Sequence, residues 1–183
     1  RKRLTGSHQT NRRNDMTTPE IGVIGLGNMG RGIAENFVKA GYVTAVWDVS
    51  EAARAPFDER PDTTVMSPGD MAAASAMMVY VVPATPEIEG SFEGPDGVLG
   101  RTGEGTVIFD LTTSFPEDTK RIAARANEHG IAYLDAAMTG GATGADAVTL
   151  TLMVGGDETI FESCRARLDA IADYLFYLGG VGA

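Results

Sequence analysis

Short apolar runs alternate with amphipathic segments along most of the chain. Strands that are nearly continuous hydrophobic runs are those buried on both faces, as in a parallel sheet covered by helices. The pattern therefore predicts an α/β fold, in which a doubly wound and mostly parallel sheet carries helices on both faces. The predicted strands comprise residues 21–25, 43–48, 77–82, 106–110, 132–136, 149–155 and 174–178.

Helical spacing is clearest in residues 29–40, where Ile33 and Phe37 fall on one face. We expect this helix to end at Gly41, because glycine adopts the left-handed conformation of a helix cap at little cost. Residues 86–105 are rich in glycine and predict a short helix followed by turns. The other predicted helices comprise residues 51–60, 68–74, 116–129 and 158–172.

The length of 183 residues and the hydrophobic share of 43% suit one domain with a single core. We expect that domain to cover residues 16–183, with Met16 as its first residue. Residues 1–15 hold five basic side chains and one acid, and Leu4 is their one large apolar residue. They have neither the apolar run of a secretory signal nor an amphipathic face, so we interpret them as a disordered leader or upstream sequence.

Charge and cysteine content limit the partners and the compartment. The net charge of −10 argues against nucleic acid or an anionic membrane as the main partner, because anionic surfaces would repel most of the protein. No apolar run approaches the ~20 residues of a membrane span. The single cysteine, Cys164, excludes an internal disulfide, and His8 and His129 are far apart in the sequence, so no metal site is predicted. These features favour a reduced, cytoplasmic protein.

A glycine-rich turn follows the first predicted strand and opens the first predicted helix. It has the spacing Gly-Xaa-Gly-Xaa-Xaa-Gly at Gly25, Gly27 and Gly30. In a dinucleotide-binding turn the first glycine allows the tight turn, the second lets backbone N–H groups approach a pyrophosphate, and the third lets the helix pack on the sheet. The flanking strand and helix favour this interpretation over a plain strand-to-helix turn. We therefore predict a Rossmann-type fold whose cofactor-binding residues include Gly25, Leu26, Gly27, Asn28, Met29 and Gly30.

An acid, Asp48, ends the second predicted strand, eighteen residues after Gly30. A carboxylate at this position accepts hydrogen bonds from the hydroxyls of the adenosine ribose and repels a 2′-phosphate. The next residue is Val49, so no adjacent arginine offers a bidentate contact to a phosphate. The sequence therefore favours NAD over NADP, with Asp48 in the cofactor site. The alternative is that Asp48 caps a helix or shapes a turn before Ser50.

Four segments make the prediction more specific. Residues 22–30, with Asn36, Lys39 and Gly41 after them, resemble the opening of the β-hydroxyacid dehydrogenases, which include 3-hydroxyisobutyrate dehydrogenase and, more distantly, 6-phosphogluconate dehydrogenase. The resemblance covers nearly everything from Ile21 onward. It implies an oxidoreductase that transfers a hydride between a 3-hydroxy acid and NAD. The other three segments are DLTTSFP at residues 110–116, LDAAMTGG at 134–141 and TLTLMVGG at 149–156.

The resemblance also implies where the nicotinamide end of the cofactor lies. Val82 and Pro83 fall where the family has a turn that lines the cofactor, and Thr113 corresponds to a threonine near the nicotinamide. A hydroxyl at the carboxyl end of a strand lies where open α/β sheets bind ligands. The alternative for Thr113 is a turn residue that closes the strand before Pro116.

Thr139 takes the place of a family serine that binds the substrate carboxylate, so the resemblance implies that Thr139 is a catalytic, substrate-binding residue. Gly140 and Gly141 follow it and are expected to offer backbone N–H donors to the same carboxylate. Departures from the family pattern affect the expected substrate more than the expected fold. They include Ala137, Met138 and Val148, in addition to the change from serine to Thr139.

The family uses a lysine on the helix that leaves this domain, where a base accepts the alcohol proton and a cation stabilises the developing alkoxide. The sequence ends at Ala183, before that position, and its lysines are Lys2, Lys39 and Lys120. We interpret the last two as solvated helix charges. The resemblance therefore implies a fragment without the C-terminal helical domain, from a homodimeric or homotetrameric parent enzyme. We expect this fragment to bind NAD at best weakly and to have negligible turnover.

Two other functions stay open at this point. An imine reductase has a similar nucleotide domain with the lysine replaced, although Thr139 keeps a carboxylate-type pocket and Val49 is not the arginine expected for NADPH. A non-catalytic dinucleotide-binding module would keep the cofactor site alone. The leading hypothesis has a small-molecule hydroxy acid as the partner.

Overall fold

The computed structural model describes residues 18–101 and 105–183. The leader predicted at residues 1–15 and the proposed first residue, Met16, lie outside the described residues. Almost all of the predicted α/β domain lies within them.

A single sheet of eight strands forms the centre of the described part of the chain. The strands are Ile21–Ile24 (β1), Thr44–Trp47 (β2), Thr63–Val65 (β3), Met77–Tyr80 (β4), Val107–Asp110 (β5), Ala132–Thr139 (β6), Leu150–Gly155 (β7) and Ala172–Gly179 (β8). They lie in the order β3-β2-β1-β4-β5-β6-β7-β8. Every neighbouring pair is parallel except β6 with β7. The mostly parallel sheet expected from the sequence is confirmed.

Helices cover both faces of this sheet. Phe37 of the first helix and Phe161 of the last belong to one buried cluster, while Met71 and Ile122 belong to a second cluster on the other face. Burial on both faces explains why the strands are nearly continuous hydrophobic runs. None of the described helices is both long and apolar enough to cross a membrane. The helices are Gly30–Lys39 (α1), Glu51–Arg54 (α2), Pro68–Ala74 (α3), Thr85–Phe92 (α4), Pro116–Glu128 (α5), Gly141–Ala147 (α6) and Glu158–Leu168 (α7).

The helix predicted at residues 51–60 was too long. Helix α2 ends at Arg54, and a 3₁₀ turn follows at Ala55–Phe57. Pro56 lies in this turn, and proline has no backbone N–H with which to continue an α-helix. The short strand β3 then follows, and it was not predicted because three residues are too few to show an alternating pattern.

The end of the helix predicted at residues 158–172 was also wrong, because α7 stops at Leu168 and β8 begins at Ala172. Helix α6 was not predicted at all, since its two glycines lower its helix propensity. Packing on α1 compensates for this. The side-chain amide of Asn36 donates to the carbonyl of Ala145 at 2.5 Å, and a Cβ on Gly32 would overlap Asp146.

Candidate functional site

A cleft of about 840 Å³ opens at the carboxyl edge of the sheet, where the strand order reverses. The chain runs from β1 to β2 and β3 on one side of β1 and then crosses back to β4 on the other side. Open α/β sheets bind their ligands in this crevice. The cleft is lined by every predicted cofactor residue except Leu26, namely Gly25, Gly27, Asn28, Met29, Gly30, Asp48, Val82, Pro83 and Thr113.

The glycine loop lines one side of the cleft, and its three glycines have different surroundings. Gly25 has a φ of +94°, and a Cβ on it would overlap the carbonyl oxygen of Val81. A Cβ on Gly30 would overlap the carbonyl oxygen of Gly25, so the helix can approach the loop only with glycine here. A Cβ on Gly27 would instead meet nothing within 4 Å. The loop is therefore packed on the protein side and open on the cleft side, which fits a pyrophosphate.

The amino end of α1 adds to this fit. Met29 precedes the helix and makes no side-chain capping hydrogen bond, so the first helical N–H groups have no side-chain acceptor from that residue. Backbone N–H groups and the helix dipole at such an end favour an anion.

The carboxylate of Asp48 joins two segments of the site. Its Oδ2 accepts a hydrogen bond from the Leu26 N–H at 2.7 Å, and its Oδ1 accepts one from the Ser50 N–H at 2.8 Å. An ionised carboxylate has about four acceptor positions, so both oxygens keep capacity for ribose hydroxyls. The turn role that was the alternative for Asp48 is thus present, while the cap of α2 is Ser50, whose Oγ accepts from the Ala53 N–H. Leu26 contributes through this bond without lining the cleft.

A buried acid holds the loops at the other end of the cleft. Oδ2 of Asp110 accepts from the Tyr133 hydroxyl at 2.6 Å, and its Oδ1 accepts from the Thr112 N–H at 2.8 Å. The Thr112 hydroxyl in turn accepts a longer bond, 3.4 Å, from the Val82 N–H. Burial raises the pKa of Asp110, and its hydrogen bonds act in the opposite direction. This network ties the turn of Thr113 to the turn of Val82.

The predicted substrate-binding residues Thr139, Gly140 and Gly141 lie beside the cleft and not in its lining. Thr139 is the last residue of β6 and is exposed, Gly140 has a φ of +121°, and Gly141 begins α6. Met138 does line the cleft. Successive side chains of a strand point to opposite faces, so Met138 and Thr139 face different sides of the sheet. The structure thus brings the segment to the cleft edge through Met138.

One wall of the cleft was missed by the sequence analysis. It comes from α4, from the turns after it and from the start of α3, and it carries three acids. No motif marks these residues, and the one available signal was their position directly after the Val82–Pro83 turn. Trp47 also lines the cleft. The missed wall residues are Pro68, Glu87, Gly90, Ser91, Glu93, Pro95 and Asp96.

No lysine of the described residues lines the cleft. Lys39 is exposed at the end of α1 and donates to the side-chain oxygen of Asn36 at 3.2 Å. Lys120 is exposed on α5, close to Asp135, whose pKa is raised by burial and whose carboxylate accepts from the Gly182 N–H at 2.8 Å. In residues 18–101 and 105–183, no group of three or more His, Cys, Asp or Glu side chains is placed to hold a metal ion.

Comparison with known sequences finds similarity over nearly all of the described residues. Residues 20–179 match the family described as the NAD binding domain of 6-phosphogluconate dehydrogenase. An NAD-dependent L-serine dehydrogenase of Pseudomonas aeruginosa is 35% identical over 164 residues, which are 90% of this chain and 55% of that protein. The mitochondrial 3-hydroxyisobutyrate dehydrogenase of Homo sapiens is 32% identical over 162 residues, 88% of this chain and 48% of that protein. The chain spans about half the length of these curated relatives.

Solved structures share the fold over the same region. A Mycobacterium tuberculosis 3-hydroxyisobutyrate dehydrogenase with L-serine has a TM-score of 0.80 at 28% identity, covering 91% of this chain and 56% of that one. Two imine reductase structures from Myxococcus stipitatus, a variant with NAD+ and a complex with NADP+, have TM-scores of 0.82 and 0.80. Both are 25% identical to this chain and cover 90% of it and 56% of their own length.

Proposed function

The chain belongs to the family of the NAD binding domain of 6-phosphogluconate dehydrogenase, and from this premise we propose that its cleft binds NAD for hydride transfer to or from a 3-hydroxy acid. The observation that carries the proposal is that one cleft is lined both by the glycine loop with Asp48 and by Val82, Pro83 and Thr113. A dinucleotide needs contacts at both ends, and this cleft offers them together.

The choice of NAD follows from charge. Asp48 would repel a 2′-phosphate, and Val49 beside it is 92% exposed and carries no charge. Relatives do not decide between the cofactors, because the imine reductase structures contain NAD+ in one case and NADP+ in the other.

In this proposal the residues have separate tasks. The N–H groups around Gly27 and the start of α1 hold the pyrophosphate, and Asp48 accepts from the adenosine ribose. Thr113 and Met138 orient the nicotinamide ring, which accepts or donates the hydride when bound. The network around Asp110 keeps the turn of Thr113 fixed.

Thr139 is proposed to donate its hydroxyl hydrogen bond to the substrate carboxylate, with Gly140 and Gly141 offering N–H donors. Support comes from the resemblance of residues 134–141 to the substrate segment of the family. An alcohol must also release a proton to a base, a step worth roughly 10²–10⁴-fold in rate. Because no lysine of the described residues lines the cleft, we propose that this chain alone has negligible turnover.

The test is formation of a ternary complex. The protein loaded with NADH is titrated with 3-hydroxyisobutyrate and with L-serine, while the nicotinamide emission is followed. We expect one of the two acids to change the emission of the wild type and of Thr139→Ser, but not of Thr139→Val, which keeps the shape without the hydroxyl. An equal response of all three proteins would contradict the role of Thr139. Appreciable NAD reduction by this chain would contradict the proposed need for an added base.

An imine reductase is the second candidate, and two observations favour it: the fold similarity to the Myxococcus stipitatus enzymes and the absence of a lysine from the described cleft lining. Oxidation of NADPH with a cyclic imine would support it over the hydroxy-acid proposal. Binding of NADH with no response to any acid or imine would favour a non-catalytic module. The cytoplasmic location and the homodimer or homotetramer stay predictions.

A further inference from the structure

Arg54 lies behind Trp47 and Asp48 of the cleft lining without itself lining the cleft. It is the last residue of α2, and its guanidinium carbon lies 4.7 Å from the centroid of the Trp47 ring, which lines the cleft. Its Nη1 donates to the main-chain carbonyl of Asp48 at 2.5 Å and, more weakly, to that of Val49 at 3.5 Å. The side chain is therefore folded back over the end of β2 and is half-buried there.

The charge of Arg54 has no carboxylate partner within the described residues. The nearest acid in sequence, Asp48, uses its two oxygens for the Leu26 and Ser50 N–H groups. Nε and Nη2 of Arg54 make no hydrogen bond to any described residue either. Five described arginines pair with acids, namely Arg60, Arg101, Arg121, Arg125 and Arg165, whereas Arg31 and Arg167, like Arg54, have no acid partner among the described residues. Among these three, Arg54 has its guanidinium over the ring of Trp47, which lines the cleft, so its charge is positioned for an anion bound there.

We propose that Arg54 binds the 2′-phosphate of NADP, so that the cleft accepts NADP in addition to NAD. The inference rests on the proposed dinucleotide site. Val49 offers no cation after β2, but Arg54 reaches the same two residues from the end of α2. A guanidinium presents its donors in a planar fork that matches phosphate, and stacking on Trp47 fixes the plane of that fork. Asp48 then repels the 2′-phosphate, whereas Arg54 attracts it.

The experiment compares the affinities for NAD+ and NADP+ by calorimetry in the wild type and in Arg54→Leu. Because a hydrogen bond to a charged group contributes about 1.5–3 kcal/mol, we expect a roughly 10- to 100-fold loss of NADP+ affinity and almost no change for NAD+. Arg54→Lys keeps the charge but not the planar fork, so its NADP+ affinity should lie between those of the wild type and Arg54→Leu. Asp48→Asn should raise the NADP+ affinity, and more so when Arg54 is present than in the double variant with Arg54→Leu.

The matched control is Arg165→Leu on α7. Its guanidinium carbon lies 4.8 Å from the Phe161 ring centroid, so the same charge and a similar ring contact are removed at a ring that does not line the cleft. We expect neither affinity to change. Equal losses for NAD+ and NADP+ in Arg54→Leu, or no loss of either, would overturn the assignment. If the wild type binds NAD+ but not NADP+, the role of Arg54 is overturned while the proposed function stands. If it binds neither nucleotide, the proposed function is overturned as well.

Discussion

The backbone N–H of Leu26 donates a 2.7 Å hydrogen bond to Oδ2 of Asp48. This bond joins the loop after β1 to the end of β2, two segments that are twenty-two residues apart. In the proposed complex the first segment contacts the pyrophosphate and the second contacts the adenosine ribose. The acid is therefore both a ligand group and the acceptor that fixes the shape of the phosphate loop.

The first prediction concerns Asp48→Ala. The substitution removes the acceptor of the Leu26 N–H and the proposed acceptor of the ribose hydroxyls. With about 1.5–3 kcal/mol for a hydrogen bond to a charged group, we expect NADH affinity to fall roughly 10- to 100-fold in calorimetric titration. Asp48→Asn keeps a neutral acceptor for the Leu26 N–H and should lose less NADH affinity than Asp48→Ala. Unchanged affinity in Asp48→Ala would show that the carboxylate has no contact with the nucleotide.

A second prediction separates two glycines of the same loop. A Cβ on Gly30 would overlap the carbonyl oxygen of Gly25, so Gly30→Ala should lower the free energy of unfolding by about 1–3 kcal/mol in urea denaturation. A Cβ on Gly27 meets open space, so Gly27→Ala should keep the wild-type stability but lose NADH affinity, because its methyl group occupies the approach of the pyrophosphate. A Gly27→Ala protein that is unstable and binds NADH normally would contradict the proposed contact between Gly27 and the pyrophosphate.

The third prediction follows from the buried acid Asp110, whose pKa is raised by burial above its ordinary value of 3.8. The folded state then holds the proton more tightly than the unfolded state. The stability contribution of this group is therefore greatest below pH 3.8 and declines as pH rises towards the raised folded-state pKa, above which it is constant.

Asp110→Asn carries no titrating proton, so it serves as the reference. Urea denaturation of both proteins across this pH interval should show the wild type losing stability relative to Asp110→Asn as pH rises. Other acids, such as Asp135, titrate in both proteins and largely cancel in the difference. A difference that does not vary with pH, or that varies in the opposite direction, would contradict the raised pKa.

The sequence was sufficient for those parts of the fold that hydrophobic burial determines. Strands such as β1 and β4 are fully buried, and α1 has a clear apolar face, so their patterns identify them. Helix α6 escaped prediction because its formation depends on the contact between Asn36 and Ala145, which lie 109 residues apart. Strand β3 owes its place to pairing with β2 and has almost no pattern of its own.

The candidate site likewise has residues that the sequence predicts and residues that only the three-dimensional structure identifies. The spacing of Gly25, Gly27 and Gly30 and the acid at the end of β2 were visible because the chemistry of a dinucleotide requires them at fixed separations. Arg54 was not visible, because its importance arises from a side chain that folds back on Trp47 and the Asp48 carbonyl. Local spacing therefore identified the pocket, while the charges around it required the three-dimensional arrangement.

Trp47 gives the most direct test of the central claim, since it is the one tryptophan in the sequence and lines the cleft. The measurement is its emission during titration with NADH, repeated on Gly27→Ala. We predict saturable quenching, with energy transfer to the nicotinamide ring, in the wild type, and strongly weakened quenching in Gly27→Ala. An emission that does not respond to NADH, or that responds equally in both proteins, would contradict a nicotinamide dinucleotide site in this cleft.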